Sequence, residues 1–392
     1  MSETKGVLSL LTRNLRQSGI YIAFVAIIIL FTVLTDGKLL NANNLTNMIM
    51  QYSYILILAI GMVIVIIAGH IDLSVGSVVA LTGAVAAVAI KDHGVPWWGA
   101  IILAIITGLL IGAWQGFWVA FVGIPAFITT LAGMLLFRGL TLLTLANVSI
   151  SIYDPTYKKV ASGFINGLMG GNGYDAFTLL LGGIGVAGFA VLQWRSRAVR
   201  ISYQQSVESL PVFIAKIIAV ALVVMALAWQ LAHARGLPVV LIILGLLIMI
   251  YSIVTKRTIF GRHVYAIGGN LAAAQLSGVK VKWVNFFIMV NMGFLASIAG
   301  VVFSSRSSSA QPAAGNMFEL DAIAACFIGG AAVTGGIGTV VGAMVGGLIM
   351  AVMSNGMSIL GIDQSVQQIV KGLILLLAVA FDVYNKRRAG TR

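Results

Sequence analysis

Residues 59–77 read Ala-Ile-Gly-Met-Val-Ile-Val-Ile-Ile-Ala-Gly-His-Ile-Asp-Leu-Ser-Val-Gly-Ser. An apolar run that begins near residue 47 stops at His70-Ile71-Asp72, and a second continues from Leu73 to about residue 90. A hydrocarbon core of roughly 30 Å takes about 17–25 helical residues, and within it every backbone polar group must be paired internally, so such runs become membrane helices. The break between them puts a carboxylate very near the membrane. An acid there is a functional candidate by default, either on a polar pathway or as a proton relay with His70. Asp72 or Ser74 equally suits a cap on the following helix, accepting free N–H bonds and facing its positive dipole end, and a broken helix would serve both roles.

Read outward from this stretch, the chain has twelve predicted spans: 20–35, 47–69, 73–90, 97–121, 124–146, 177–194, 212–232, 237–254, 283–303, 319–333, 337–357 and 366–384. With 60% hydrophobic and 9% charged residues against about 25% charged in soluble domains, this is an integral membrane protein. The fold class is all-α and polytopic, with about 12 (10–12) transmembrane helices. Fifteen of the 24 Lys and Arg residues fall in four stretches, 1–19, 195–212, 255–282 and 385–392. Basic residues flanking apolar spans stay cytoplasmic. Alternation from a cytoplasmic N-terminus puts all four stretches and the C-terminus inside, leaving Lys38, Lys91, Lys158, Lys159, Arg235 and Arg306 in outer loops. Arg138, Lys216 and Lys371 fall within spans near their ends, where snorkelling to the headgroups is the simplest reading. The expected organisation is a cytoplasmic tail over 1–19, a single transmembrane domain over 20–384 and a basic tail over 385–392.

Other classes are excluded residue by residue. A basic pI near 10.0 suits nucleic acid only with a basic face, whereas here the charge caps apolar helices. The single cysteine, Cys326, lies in an apolar run, so neither an internal disulfide nor a thiol metal cluster is available. Thr35-Asp36-Gly37-Lys38 after the first run is no small-residue cleavage site, which predicts an uncleaved first span. There is no H-E-x-x-H, and His70, His93, His233 and His263 lie in different connections, so no metal or catalytic site is expected. The only Gly-Lys step, Gly37-Lys38, is no P-loop, so no cofactor is expected on this chain and any ATP with its Mg belongs to a partner.

Small residues recur at helical spacing. Ala100, Ala104, Gly108, Gly112, Gly116 and Ala120 form one stripe and Gly338, Gly342 and Gly346 another, which predicts close helix packing. Glu319 and Asp321 invite a capping reading at the start of the tenth span. Gln51, Asn285 and Asn291 within spans serve either as glue between helices or as lining of a polar route. Trp97, Trp98, Trp229 and Trp283 fit an interfacial aromatic belt. In the inner loop 255–282, Gly268-Gly269-Asn270 reads as a turn and helix start, Leu271–Leu276 as a short helix and Ser277-Gly278 as its stop. Such a helix suits docking in a partner's groove or an ordinary structured loop.

Through residues 59–77, 125–139, 261–281 and 309–330 the chain resembles the permease subunits of ATP-binding-cassette sugar importers of the ribose, xylose and arabinose type. It is most similar in kind to the xylose and multiple-monosaccharide permeases, with 177–232 as their added helix pair. The resemblance implies a type II importer-like transmembrane domain in the bacterial cytoplasmic (inner) membrane, working as a homodimer to import xylose, galactose, glucose, arabinose or a similar monosaccharide. It further implies a tandem-cassette ATPase docked on the coupling loop, through Gly261, Arg262, Gly268, Gly269, Asn270, Ala273, Gln275, Ser277 and Gly278. A sugar-binding protein would deliver to the outer loops, with Arg306, Gln311, Asn316 and Glu319 as candidate contacts. Gln51, Asp72, Ser74 and Asn291 are the candidate pathway residues. Members of that family carry an acidic residue near 271 or 272 and an arginine at 275, whereas this chain has Leu271, Ala272 and Gln275. The alternative function is a proton-coupled secondary transporter using Asp72 and His70.

Overall fold

The computed structural model describes residues 15–171 and 173–388; the rest of the two predicted tails, 1–14 and 389–392, lies outside them. In chain order the helices begin with α1 (Leu15–Leu34), α2 (Ala42–Ile67), α3 (Val75–Lys91), α4 (Trp97–Phe117, running on as a π-turn over Trp118–Val122) and α5 (Ala126–Thr144). A short outer insertion follows, with β1 (Ile150–Ser151), α6 (Pro155–Ser162) and β2 (Phe164–Ile165). Next come α7 (Ala176–Ser202), α8 (Leu210–Ala234), β3 (Leu237–Pro238) and α9 (Val239–Arg257). The inner connection holds α10 (Ile259–Gly269) and α11 (Leu271–Leu276). The chain closes with α12 (Val281–Ser307), β4 (Ser309–Ala310), α13 (Phe318–Ile328), α14 (Val340–Ile359) and α15 (Gln364–Arg388).

Each predicted span has a helix on it. Among the described residues eight are long and apolar enough to cross a membrane, and three shorter apolar helices cover 19–34, 75–91 and 364–380. The tenth span is corrected. Its helix, α13, has only 11 residues, so at 1.5 Å per residue it covers about 16 Å and cannot cross alone. Beyond Ile328 the chain leaves the helix at Gly330 (φ 88°), and Gly335 and Gly336 also take left-handed φ. This half is a run of turns held in place by hydrogen bonds, with Gly336 N–H donating to Ile67 O (2.8 Å) and Ala332 N–H to Ile337 O (3.0 Å). The bond to Ile67, at the C-terminal end of α2, brings Gly336 to that end of the bundle, as the expected alternation of sides requires.

The contacts divide the described residues into two compact units, one of 15–39, 48–162 and 240–388, the other of 40–47, 163–171 and 173–239. In the first, α12 is the central element, and the predicted stripe on α4 lies against it. A β-carbon on Gly108 would stand 2.4 Å from Gly293 O, and one on Gly112 2.6 Å from Met289 O, so the two backbones touch where only glycine fits. The second stripe works in the same way at two of its positions. Gly346 abuts Ala325 O and Gly342 abuts Gly329 O, joining α14 to α13, whereas Gly338 precedes the helix. Outside, β1 pairs antiparallel with β4, and the buried Tyr157 hydroxyl of α6 bonds Ser304 Oγ of α12 at 2.7 Å.

In the second unit α7 and α8 pack on one another, with Gly182 against Ala228 and Trp194 against Phe213. Asp175 caps α7, accepting from Thr178 N–H at 3.0 Å, and β2 pairs with β3. Lys216 lies 3.7 Å from Glu208 with both side chains about half exposed, as a snorkelling lysine should.

Candidate functional site

Two helices of the first unit start at the same place. Gly76, in the first turn of α3, meets Gly315, just before α13: a β-carbon on Gly76 would lie 2.1 Å from Gly315 O, and one on Gly315 1.8 Å from Gly76 O. Arg138 of α5 fixes the segment leading to α13, donating from Nη1 to Ala314 O (2.5 Å) and Pro312 O (3.1 Å). It is a clamp on two carbonyls; the snorkelling expected of it is not seen. The capping expected here is also corrected. Asp72, 1% exposed, accepts from Ser74 N–H (2.8 Å) and Ser74 Oγ (2.7 Å) through Oδ1, and Ser74, at the N-cap of α3, makes no side-chain cap bond. Ser74 Oγ instead accepts from Gln115 Nε2 of α4 at 2.7 Å, in space that Gly133 leaves open. Leu73 N–H donates to Thr130 Oγ1 of α5 at 3.1 Å. The break at 70–74 is thus stitched to α4 and α5 by a buried polar network. The Glu319 carboxylate lies beside Gly76 at the positive end of α3, while the residue at the N-cap of its own helix, Met317, makes no side-chain cap bond.

Beside this junction is a cavity of about 730 Å³ bounded by α2, α12, α13, α14 and α15. Gln51, Gln311 and Asn316 line it, as do Asp321 of α13 and Lys371 of α15. Lys371 does not snorkel and Asp321 does not cap: Lys371 Nζ lies 3.1 and 3.2 Å from the two carboxylate oxygens of Asp321. Tyr54, Phe303 and Phe318 form an aromatic wall, with ring centroids 4.6–5.3 Å apart. Asn291 faces elsewhere, accepting the Tyr251 hydroxyl and so joining α12 to α9. Arg306 is half-buried in the last turn of α12, its Nε without a hydrogen-bond partner.

In the connection over 255–282 Thr258 caps α10, accepting from Gly261 N–H at 3.1 Å, and Gly261 itself packs on the carbonyls of Val254 and Thr255. Of the Gly268-Gly269-Asn270 turn and helix start expected there, the break falls on Asn270 alone, since α10 runs through Gly269, and the next helix starts at Leu271 as expected. Asn270 (φ −157°) accepts from Ala273 N–H at 2.9 Å and caps α11, and Gly278 (φ 80°) ends it. Most of α11 is exposed, with Leu276 91% exposed and only Ala274 buried; Arg262, Gln275 and Ser277 are exposed too. Tyr265 donates from its hydroxyl to Gly338 O at 2.7 Å. Burial raises its pKa, so it stays a donor at neutral pH.

Residues 44–379 match the family described as branched-chain amino acid transport system / permease component. The chain belongs to that family. The permease is similar along its whole length to the xylose transport system permease proteins of Escherichia coli K12 (40% identical over 98% of this chain and 96% of the relative) and Haemophilus influenzae (41%, over 96% and 98%). It is 34% identical to the ribose import permease protein of E. coli K12, over 93% of this chain and 94% of the relative. No solved structure matches it. Membership makes it a transport component without catalysis of its own, and the multiple apolar helices place it in the membrane. Of the residues singled out in the sequence, the permease gathers Gln51, Gln311 and Asn316 in the cavity, Asp72 and Ser74 in the buried network, and 268–278 at the inner face. Reasoning from sequence missed Arg138 and the Asp321–Lys371 pair. The signal was spacing: Gln364, Gln367, Gln368 and Lys371 form one polar stripe on α15, all at the cavity.

Proposed function

We propose that the permease is the membrane subunit of an ATP-driven importer of a monosaccharide, acting as a homodimer in the bacterial inner membrane. A tandem-cassette ATPase binds ATP and Mg and receives α11 in a cleft; a sugar-binding protein delivers solute to the outer side near Gln311 and Asn316. The observation that carries this reading is α11 itself. Six residues, capped by Asn270 and terminated by left-handed Gly278, hold an exposed Leu271 and Leu276 off the inner face, a costly arrangement for a loop with nothing to grip. The missing charge pair at Leu271, Ala272 and Gln275 leaves apolar contact and backbone caps as the means of docking. The full-length similarity to proteins named for xylose transport and ribose import supports a pentose as the solute. The test is reconstitution with the ATPase and binding protein in liposomes. Uptake of labelled xylose or ribose that needs ATP and all three proteins is expected, and sugar flux through the purified permease alone would refute it.

A further inference from the structure

The cavity combines three chemistries that seldom meet inside a membrane protein. Gln51, Gln311 and Asn316 each present both a donor and an acceptor, as a hydroxyl does. The wall of Tyr54, Phe303 and Phe318 offers flat apolar surface, which suits the C–H face of a sugar ring. Between them the Asp321–Lys371 pair bridges α13 and α15, with the two side chains still 21% and 23% exposed, so it is reachable from the cavity. Its charges cancel. A free amino acid would need an unmatched cation for its carboxylate and an unmatched anion for its ammonium, and the lining offers neither. The volume of about 730 Å³ lies in the range of small-molecule sites, roughly 300–1,000 Å³.

We propose that this cavity is a transit site for a neutral polyhydroxylated solute and that Asp321 and Lys371 determine its specificity, the carboxylate accepting from adjacent hydroxyls while the ammonium donates to their oxygens. This deepens the reading of the permease as a sugar importer and rests on it for the identity of the solute. The pair is then exchanged for ligand contacts during passage. An ion pair with only a structural role would be replaceable by neutral groups of the same size.

The test uses the full chain in liposomes. Cys326 is fully buried, so a cysteine introduced by Asn316→Cys is the thiol that a water-soluble methanethiosulfonate reaches. D-xylose at high millimolar concentration is expected to slow that labelling severalfold while leucine at equal osmolality does not. Equal protection by leucine, or none by xylose, overturns the proposal. Adding Asp321→Asn with Lys371→Gln removes both charges together, which avoids stranding one of them. This neutral double variant is expected to keep the thermal midpoint of the parent, to lose protection by xylose and, assembled with ATPase and binding protein, to import about tenfold less sugar per ATP hydrolysed. Should it lose the fold, Gln51→Ala, which leaves the pair intact, is expected to weaken protection, and unchanged protection overturns the proposal. Protected labelling of Asn316→Cys, together with a wild-type assembly that imports no sugar, would refute the importer reading while leaving the transit site standing. ATP-driven uptake unchanged in the folded double variant would do the reverse.

Discussion

Gly268 lies against the carbonyl of Ile67 so closely that a β-carbon on it would stand 1.7 Å from the oxygen and 2.6 Å from Gly336 N. Three segments therefore share one point: the end of α2, the last turn of α10 and the non-helical half of the tenth crossing. Gly269, next in sequence, has nothing within 4 Å of its would-be β-carbon. Gly268→Ala is expected to lower stability by about 1–3 kcal/mol, because backbone must move to admit it. Gly269→Ala should stay within about 0.5 kcal/mol of the parent. Thermal unfolding in detergent distinguishes them, and equal behaviour would show that the close approach is not maintained in solution.

Leu276 makes a different kind of test, since it is exposed and holds nothing together. Leu276→Glu should leave the melting midpoint unchanged and reduce co-purification of the ATPase. Asn270→Ala removes the α11 cap at a cost of about 1 kcal/mol and is expected to speed amide exchange over 271–276. Retention of the ATPase by Leu276→Glu would move the docking surface off α11.

Asp72 separates the importer from a proton-coupled carrier. Asp72→Asn keeps an oxygen able to accept from Ser74 N–H, so folding and ATP-driven uptake are expected to persist. Asp72→Ala strands the buried Ser74 donors and should cost about 1–3 kcal/mol. Uptake driven by a pH gradient in vesicles holding the permease alone, and lost in Asp72→Asn, would favour the carrier.

Arg138→Lys is expected to be tolerated in part. Both carbonyls are held by one nitrogen, Nη1, and an ammonium carries three donors, so lysine can supply the same two bonds from a shorter side chain. Arg138→Met should destabilise the permease by about 1.5–3 kcal/mol and Arg138→Lys by less, read as loss of resistance to proteinase K, a protease of broad specificity, in the 311–317 segment.

The helices were legible because a bilayer leaves long apolar runs no other structure, and the alternation of basic clusters gave their direction. The same hydropathy hid the end of α13. Residues 322–333 are uniformly apolar, and only the glycines at 329, 330, 335, 336 and 338 signal that the helix stops halfway. The polar residues were harder, because capping and snorkelling are local explanations, available from neighbours in sequence. Asp321 and Lys371 are 50 residues apart and Arg138 and Ala314 are 176, and no periodicity within one segment predicts which partner a charge finds across a bundle.

Helix α2 joins the inner junction to the cavity in one piece. Ile67 is fixed in the knot with Gly268 and Gly336, and Gln51 lies on the cavity wall 16 residues earlier, about 24 Å along a single rod. A rod of that length is a lever: a pivot of about 5° at its foot carries Gln51 sideways by about 2 Å, most of the reach of a hydrogen bond.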